Sequence, residues 1–158
     1  FKRLFDDSMC IYMPHNVISG DFYWVGARHN MRYVVVGDCT GHGIAAALLS
    51  VLALNLFEYV IMNKGIKRVD KILQEVDKKF IESFSHGEDS FDNPWIDLSL
   101  VAIDDQKKRL YYSSANRKML FVPKSGDSEV VSGCRYPIGG WQLEKKRNFE
   151  MKTHSFSE

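Results

Sequence analysis

Hydrophobic and polar positions along the chain predict its elements one after another. Ser8 to Met13 is short, apolar and stops before Pro14, which predicts a strand. His15 to Ser19 reads as a loop, and the aromatic-rich stretch Gly20 to Gly26 as a second strand. Arg28-His29-Asn30 predicts a hairpin turn, with Met31 to Gly37 returning antiparallel. The apolar run Ile44 to Met62 predicts a helix from Gly43, closed by Asn63-Lys64-Gly65. That run is apolar nearly all round, so it is expected to be buried on most faces. Val69, Ile72, Leu73, Val76, Phe80 and Phe84 fall on one face of a second helix, with Asp70, Lys71, Glu75, Asp77, Lys78 and Lys79 on the other. Ser85 to Pro94 is a polar loop. From Trp95 to Asp104 apolar Ile96, Leu98, Leu100 and Ala102 alternate with the rest, a strand period. Leu110 to Ser114, Lys118 to Val122, Ser128 to Val131 and Phe149 to Phe156 predict further strands, and Tyr136-Pro137-Ile138-Gly139-Gly140 a rigid bend. Strands, then two helices, then strands, without βαβ alternation, argue an α+β fold with antiparallel sheet.

Composition narrows the class. The 158 residues suit a single domain, 1–158, and 45% hydrophobic with 26% charged residues is an ordinary globular balance. A net charge of +1 gives no field for nucleic acid, so no nucleic-acid partner is expected. Three cysteines, Cys10, Cys39 and Cys134, with no CxxC spacing, point to reduced thiols and a cytoplasmic setting rather than a disulfide framework. The run Ile44 to Met62 approaches the ~20 apolar residues of a membrane span. It contains Ser50, Asn55 and Glu58 and starts at a polar glycine turn, so a core helix is expected. The first residue is Phe1, and the chain is expected to be an excised piece of a longer protein.

The candidate chemistry gathers at Val34-Val35-Val36-Gly37-Asp38-Cys39-Thr40-Gly41-His42-Gly43. A β-branched triplet leads to a carboxylate, a glycine turn and a helix start, a place for a hard cation or a phosphate. Asp21 opens the preceding strand, so a hairpin brings Asp21 and Asp38 together from 17 positions apart, 38 − 21. Plainer roles compete at each residue. Asp21 suits a turn or sheet edge, and Asp38 a helix cap. Asp97 either supports the site or faces solvent, and His42 reads as a turn residue. Asn116 and Arg117 read as hairpin-turn residues, with contact to a substrate as the lesser alternative. Lys145-Lys146-Arg147 is expected to be a solvated loop.

Taken together, Gly20-Asp21-Phe22-Tyr23, Gly37 to Gly43, Asp97-Leu98-Ser99-Leu100, Ser114-Ala115-Asn116 and Tyr136-Pro137-Ile138-Gly139-Gly140 resemble successive blocks of the metal-dependent PPM phosphatases. The branch they resemble is that of sporulation stage II protein E and the stress-response regulatory phosphatases, over nearly the whole chain. The resemblance implies a sandwich of antiparallel sheets flanked by helices, incomplete at the C-terminal end. It implies hydrolysis of phosphoserine or phosphothreonine with two Mn²⁺ or Mg²⁺ ions, held by the side chains of Asp21 and Asp38 and the backbone carbonyl of Cys39. On that reading Asp21 and Asp38 are the catalytic pair, and the Cys39 thiol has no part. A histidine that eukaryotic relatives place two residues after the bridging Asp corresponds here to Thr40, so its role does not carry to His42. Further family aspartates lie beyond Pro-Ile-Gly-Gly and would fall past Glu158, so the chain is expected to carry only part of the metal site. The implied partners are a phosphorylated regulatory protein, such as an anti-sigma-factor antagonist, and an upstream sensor domain, membrane-anchored in one version. The alternatives are a catalytically silent module of the same fold, pairing as a homodimer through its helix faces, and an unrelated α+β domain holding a nucleotide on the glycine turn.

Overall fold

The structure is a computed structural model that describes residues 4–5, 7–13, 18–84, 93–144 and 146–156. Strands β1 (Asp21–Arg28) and β2 (Met31–Cys39) form the expected hairpin. His29 takes a left-handed φ of +54° at its two-residue turn. Helix α1 (Gly43–Phe57) continues into a π-helical turn, Glu58–Asn63, and α2 spans Val69–Phe84. The remaining strands are β3 (Trp95–Asp104), β4 (Arg109–Ala115), β5 (Lys118–Phe121), β6 (Glu129–Ser132), β7 (Ile138–Gly139) and β8 (Lys152–Ser155).

The main sheet runs β1-β2-β3-β4-β8, with β7 paired to the start of β3, and β5-β6 make a separate two-stranded sheet. Every pairing between these strands is antiparallel. One face of the main sheet presents Phe22, Val35, Leu98, Leu100 and Ala115 to the helices. Against it pack Ala53, Phe57, Val60 and Ile61 from the first helix and Val69, Ile72, Leu73, Val76 and Phe80 from α2. The α+β architecture with antiparallel sheets is thus as the sequence predicts.

Several local expectations need correction. Residues 8–13 are not a strand: Met9, Ile11 and Met13 are 82%, 73% and 86% exposed, and none of the six pairs with a strand among the described residues. The first helix is not buried on most faces. Ala46, Ala53 and Phe57 are covered, but Ile44, Leu48 and Val51 form an exposed stripe, because a single sheet covers only one side. Gly43–Asn63 is 21 residues long and apolar enough to cross a membrane by length and composition, yet one side of it packs as a core helix does. Its last carbonyls are met by the β1 residue Arg28, whose Nη1 donates to the carbonyls of Ile61 and Met62.

Asp77 and Arg147 are the largest surprise. Both were expected in water, on the polar face of α2 and in a solvated loop, and each side chain is only 10% exposed. Arg147 Nη1 lies 3.2 Å from Asp77 Oδ1, and that carboxylate accepts the Gly139 N–H at 2.8 Å. Arg147 also donates to the carbonyls of Gly139 and Pro137. The basic cluster is therefore no solvated loop at Arg147; Lys145 and the loop residues 15–17 and 85–92 lie outside the described residues. The Pro-Ile-Gly-Gly bend becomes β7, locked onto α2 and β3. Gly139 has φ +73°, and a Cβ there would lie 2.6 Å from the Pro94 carbonyl oxygen and 2.7 Å from the Phe80 ring.

Candidate metal and phosphoester site

Three strands bring three carboxylates into one row. The register sets Asp21 opposite Asp38, and Asp38 opposite Asp97. Directly opposed residues place their Cβ atoms about 4.5–5.5 Å apart. Their chain neighbours Phe22, Gly37 and Leu98 form the adjacent row and turn to the helix-packed core, so the aspartates share the opposite face. Gly37 has no side chain because the Phe22 ring fills that place, within 2.5 Å of where a Cβ would sit.

The hairpin thus does what the sequence predicts for Asp21 and Asp38. The β2-β3 register adds Asp97 to the row, partly exposed on the face turned away from the helices. Asp38 is not the helix cap, since His42, in an extended conformation, holds that position without a side-chain bond. Between them Gly41 and Gly43 take φ of +86° and +69°, which lets the chain leave β2 and start α1 at once.

The surroundings are specific. Ser19 Oγ donates to Asp21 Oδ2 at 3.3 Å and accepts the Asp21 N–H at 3.0 Å. Asn116 Nδ2 donates to Asp97 Oδ2 at 3.0 Å, while Asp97 Oδ1 is buried without a hydrogen-bond partner among the described residues. Arg117 Nη2 lies 2.6 Å from Asp38 Oδ2. Partial burial and the facing Asp21 carboxylate push the Asp38 carboxyl above its ordinary value. Arg117 pulls it down, and Asp97 adds to the rise. Burial first, and then Asp38 and Asp21, push the Cys39 thiol up to about 12, so it stays protonated. The Cys39 carbonyl oxygen faces Gly20, where a side chain would come within 2.8 Å.

These donors are carboxylate and carbonyl oxygens, the set that a hard divalent cation takes. Crowded carboxylates and an unpartnered buried Asp97 oxygen are a site short of positive charge. Among the described residues no three His, Cys, Asp or Glu side chains converge closely enough to hold an ion unaided. An ion held here therefore draws further ligands from carbonyl oxygen, water or phosphate. Arg117 and Asn116 were the least legible members of the site. Their turn follows the Ser114-Ala115 block, but only the β2-β3-β4 register carries it over the carboxylates.

Comparison with known proteins adds to this geometry. A sequence-family model described as Stage II sporulation protein E matches residues 28–155, a span that holds Asp38, Asp97 and Arg117 and begins after Asp21. The phosphoserine phosphatase RsbP of Bacillus subtilis (strain 168) is 26% identical over 149 residues, 93% of this chain and 35% of RsbP. The SiaA-PP2C domain of Pseudomonas aeruginosa superposes with a TM-score of 0.76 at 24% identity, over 93% of this chain and 55% of that one. RsbX in complex with magnesium superposes with a TM-score of 0.65 at 18% identity, over 91% of this chain and 64% of that one. The chain thus spans about a third of RsbP and little over half of the SiaA chain.

Proposed function

The chain belongs to the Stage II sporulation protein E family, and on that premise we propose that it is the catalytic domain of a divalent-metal-dependent protein serine/threonine phosphatase. The observation that carries this reading is the aligned row Asp21-Asp38-Asp97 at the end of the hairpin. Asp21 and Asp38 through their side chains, and Cys39 through its carbonyl, would hold Mn²⁺ or Mg²⁺. Such ions supply a water acidified toward neutral pH and charge neutralisation at the phosphoryl group. This chain's own residues do the rest. Ser19 orients Asp21, Asn116 orients Asp97, and Arg117 brings positive charge to the rim of the row. The reaction adds water across the phosphoester, giving inorganic phosphate and a free serine or threonine hydroxyl.

The likeness to a phosphoserine phosphatase supports a phosphorylated regulatory protein as substrate, such as an anti-sigma-factor antagonist. An upstream sensor domain and a cytoplasmic location belong to the same proposal. Asp38→Asn and Asp21→Asn in the whole protein should each abolish metal-dependent phosphate release from a phosphoserine or phosphothreonine protein. Activity at the wild-type level in either variant refutes the site.

Two observations favour a second reading, a silent regulatory module that pairs through its helix faces. Arg117 already neutralises Asp38, and the α1 stripe Ile44, Leu48, Val51 is open. Wild-type protein that neither binds Mn²⁺ nor releases phosphate selects this reading.

A further inference from the structure

Arg117 sits where the proposed chemistry needs a cation that the aspartates do not supply. Its backbone is fixed from several sides. Ser114 Oγ and Tyr112 Oη both donate to the Arg117 carbonyl, at 2.6 and 3.1 Å. The preceding Asn116 takes φ of +56°, its N–H donates to the Cys134 carbonyl at 2.9 Å, and its side chain holds Asp97. The side chain beyond this anchor is different: it is 46% exposed and meets a carboxylate that is itself 50% exposed. A long side chain on a clamped backbone can turn its head group without disturbing the fold.

We propose that Arg117 is the substrate-phosphate ligand of this site, resting on Asp38 until that carboxylate is given over to a divalent ion. The inference rests on the metal-dependent reading above and adds a residue to it. The contact with Asp38 runs through Nη2, and a guanidinium has five N–H donors in a planar fork, so donors remain for a second anion. That fork matches two oxygens of a phosphoryl group at once, which an ammonium cannot do. Asp38 is the carboxylate shared by both neighbours in the row, so a divalent ion and Arg117 compete for it. Displaced from Asp38, the guanidinium remains tethered at the rim, beside a site that must receive a dianionic ester. The same side chain thus shields the carboxylate in the metal-free protein and binds substrate in the loaded one.

The test measures binding rather than turnover. Calorimetric titration of the whole metal-free protein with Mn²⁺ alone, then of the Mn²⁺-saturated protein with inorganic phosphate, is compared for wild type, Arg117→Ala and Arg117→Lys. Arg117→Ala should bind Mn²⁺ about ten-fold more tightly, having lost the competitor, and phosphate about ten-fold more weakly. Arg117→Lys should restore the competition with Mn²⁺ while binding phosphate less well than wild type, because it keeps the charge and loses the fork. Unchanged phosphate affinity in Arg117→Ala overturns the proposal, as does weaker Mn²⁺ binding, which would make Arg117 a support of the metal site. A wild-type protein that binds no Mn²⁺ refutes the metal-dependent reading itself, a result distinct from either.

Discussion

Replacing Arg147 by Met tests whether the buried pair beneath β7 holds the back of the molecule together. The change keeps most of the side-chain length and removes the charge. It strands the Asp77 carboxylate, 10% exposed, with the Gly139 N–H, and it frees the carbonyls of Gly139 and Pro137. Removing one partner of a buried pair costs about 3–5 kcal/mol. Residual exposure of both side chains argues for the lower end, about 3 kcal/mol, or a fall in Tm of about 6–12 °C for a chain of this size. The deficit should depend on pH. Burial, above all, holds the Asp77 carboxyl above its ordinary value, while the Gly139 N–H and Arg147 pull it down. A carboxyl raised in this way contributes stability while protonated and loses it as pH rises through its folded value. Without Arg147 that value rises further, so Arg147→Met should be more destabilised at about pH 7 than at about pH 4. Urea denaturation followed by circular dichroism at both pH values reads the difference. A loss below about 0.5 kcal/mol at neutral pH, the range of ordinary surface changes, would refute the reasoning. So would a deficit that grows on acidification. Lys78→Ala, in a pair whose side chains are 68% and 54% exposed, is the silent control.

Other changes separate core, surface and site. Gly139→Ala should cost about 2 kcal/mol or more in thermal melting, since its φ is left-handed and its Cβ would meet the Pro94 carbonyl. Phe57→Ala should cost about 3–5 kcal/mol in urea titration, whereas Leu48→Ser on the exposed stripe should stay within about 0.5 kcal/mol. In native protein a thiol reagent should label exposed Cys10 at once and leave Cys39 untouched until denaturant is added; rapid native labelling of Cys39 in a Cys10→Ser variant would contradict its burial and its pKa near 12.

Much of this was readable from periodicity. The α2 stripe and the β3 alternation are direct imprints of a one-sided environment, and both elements lie where the pattern put them, Val69–Phe84 and Trp95–Asp104. The hairpin likewise predicted that Asp21 and Asp38 would meet. What pattern could not show was tertiary choice. An apolar stretch such as residues 8–13 becomes a strand only if it pairs with a sheet edge, and local sequence carries no trace of whether it does. Asp77 and Arg147 look like solvent-facing residues until β7 folds over them and supplies the N–H and carbonyl groups that make burial tolerable. Asn116 and Arg117 read as ordinary turn residues, because their targets, Asp97 and Asp38, lie 19 and 79 positions away.

The turn at His29-Asn30 closes a ladder eight residue pairs long, from Arg28–Met31 to Asp21–Asp38. At about 3.3 Å per residue it lies roughly 25 Å from the acids. Yet it sets the phase of the whole ribbon. Were the pairing to slip by a single residue, every side chain of β1 would change sides, and Asp21 would be driven among the helices while Phe22 came out into water. Chain length at this distant bend is therefore constrained by chemistry at the other end. Mutational scans should find insertions of one residue there as harmful to catalysis as a change in the acids themselves, unless the extra residue loops outward and leaves the ladder in phase.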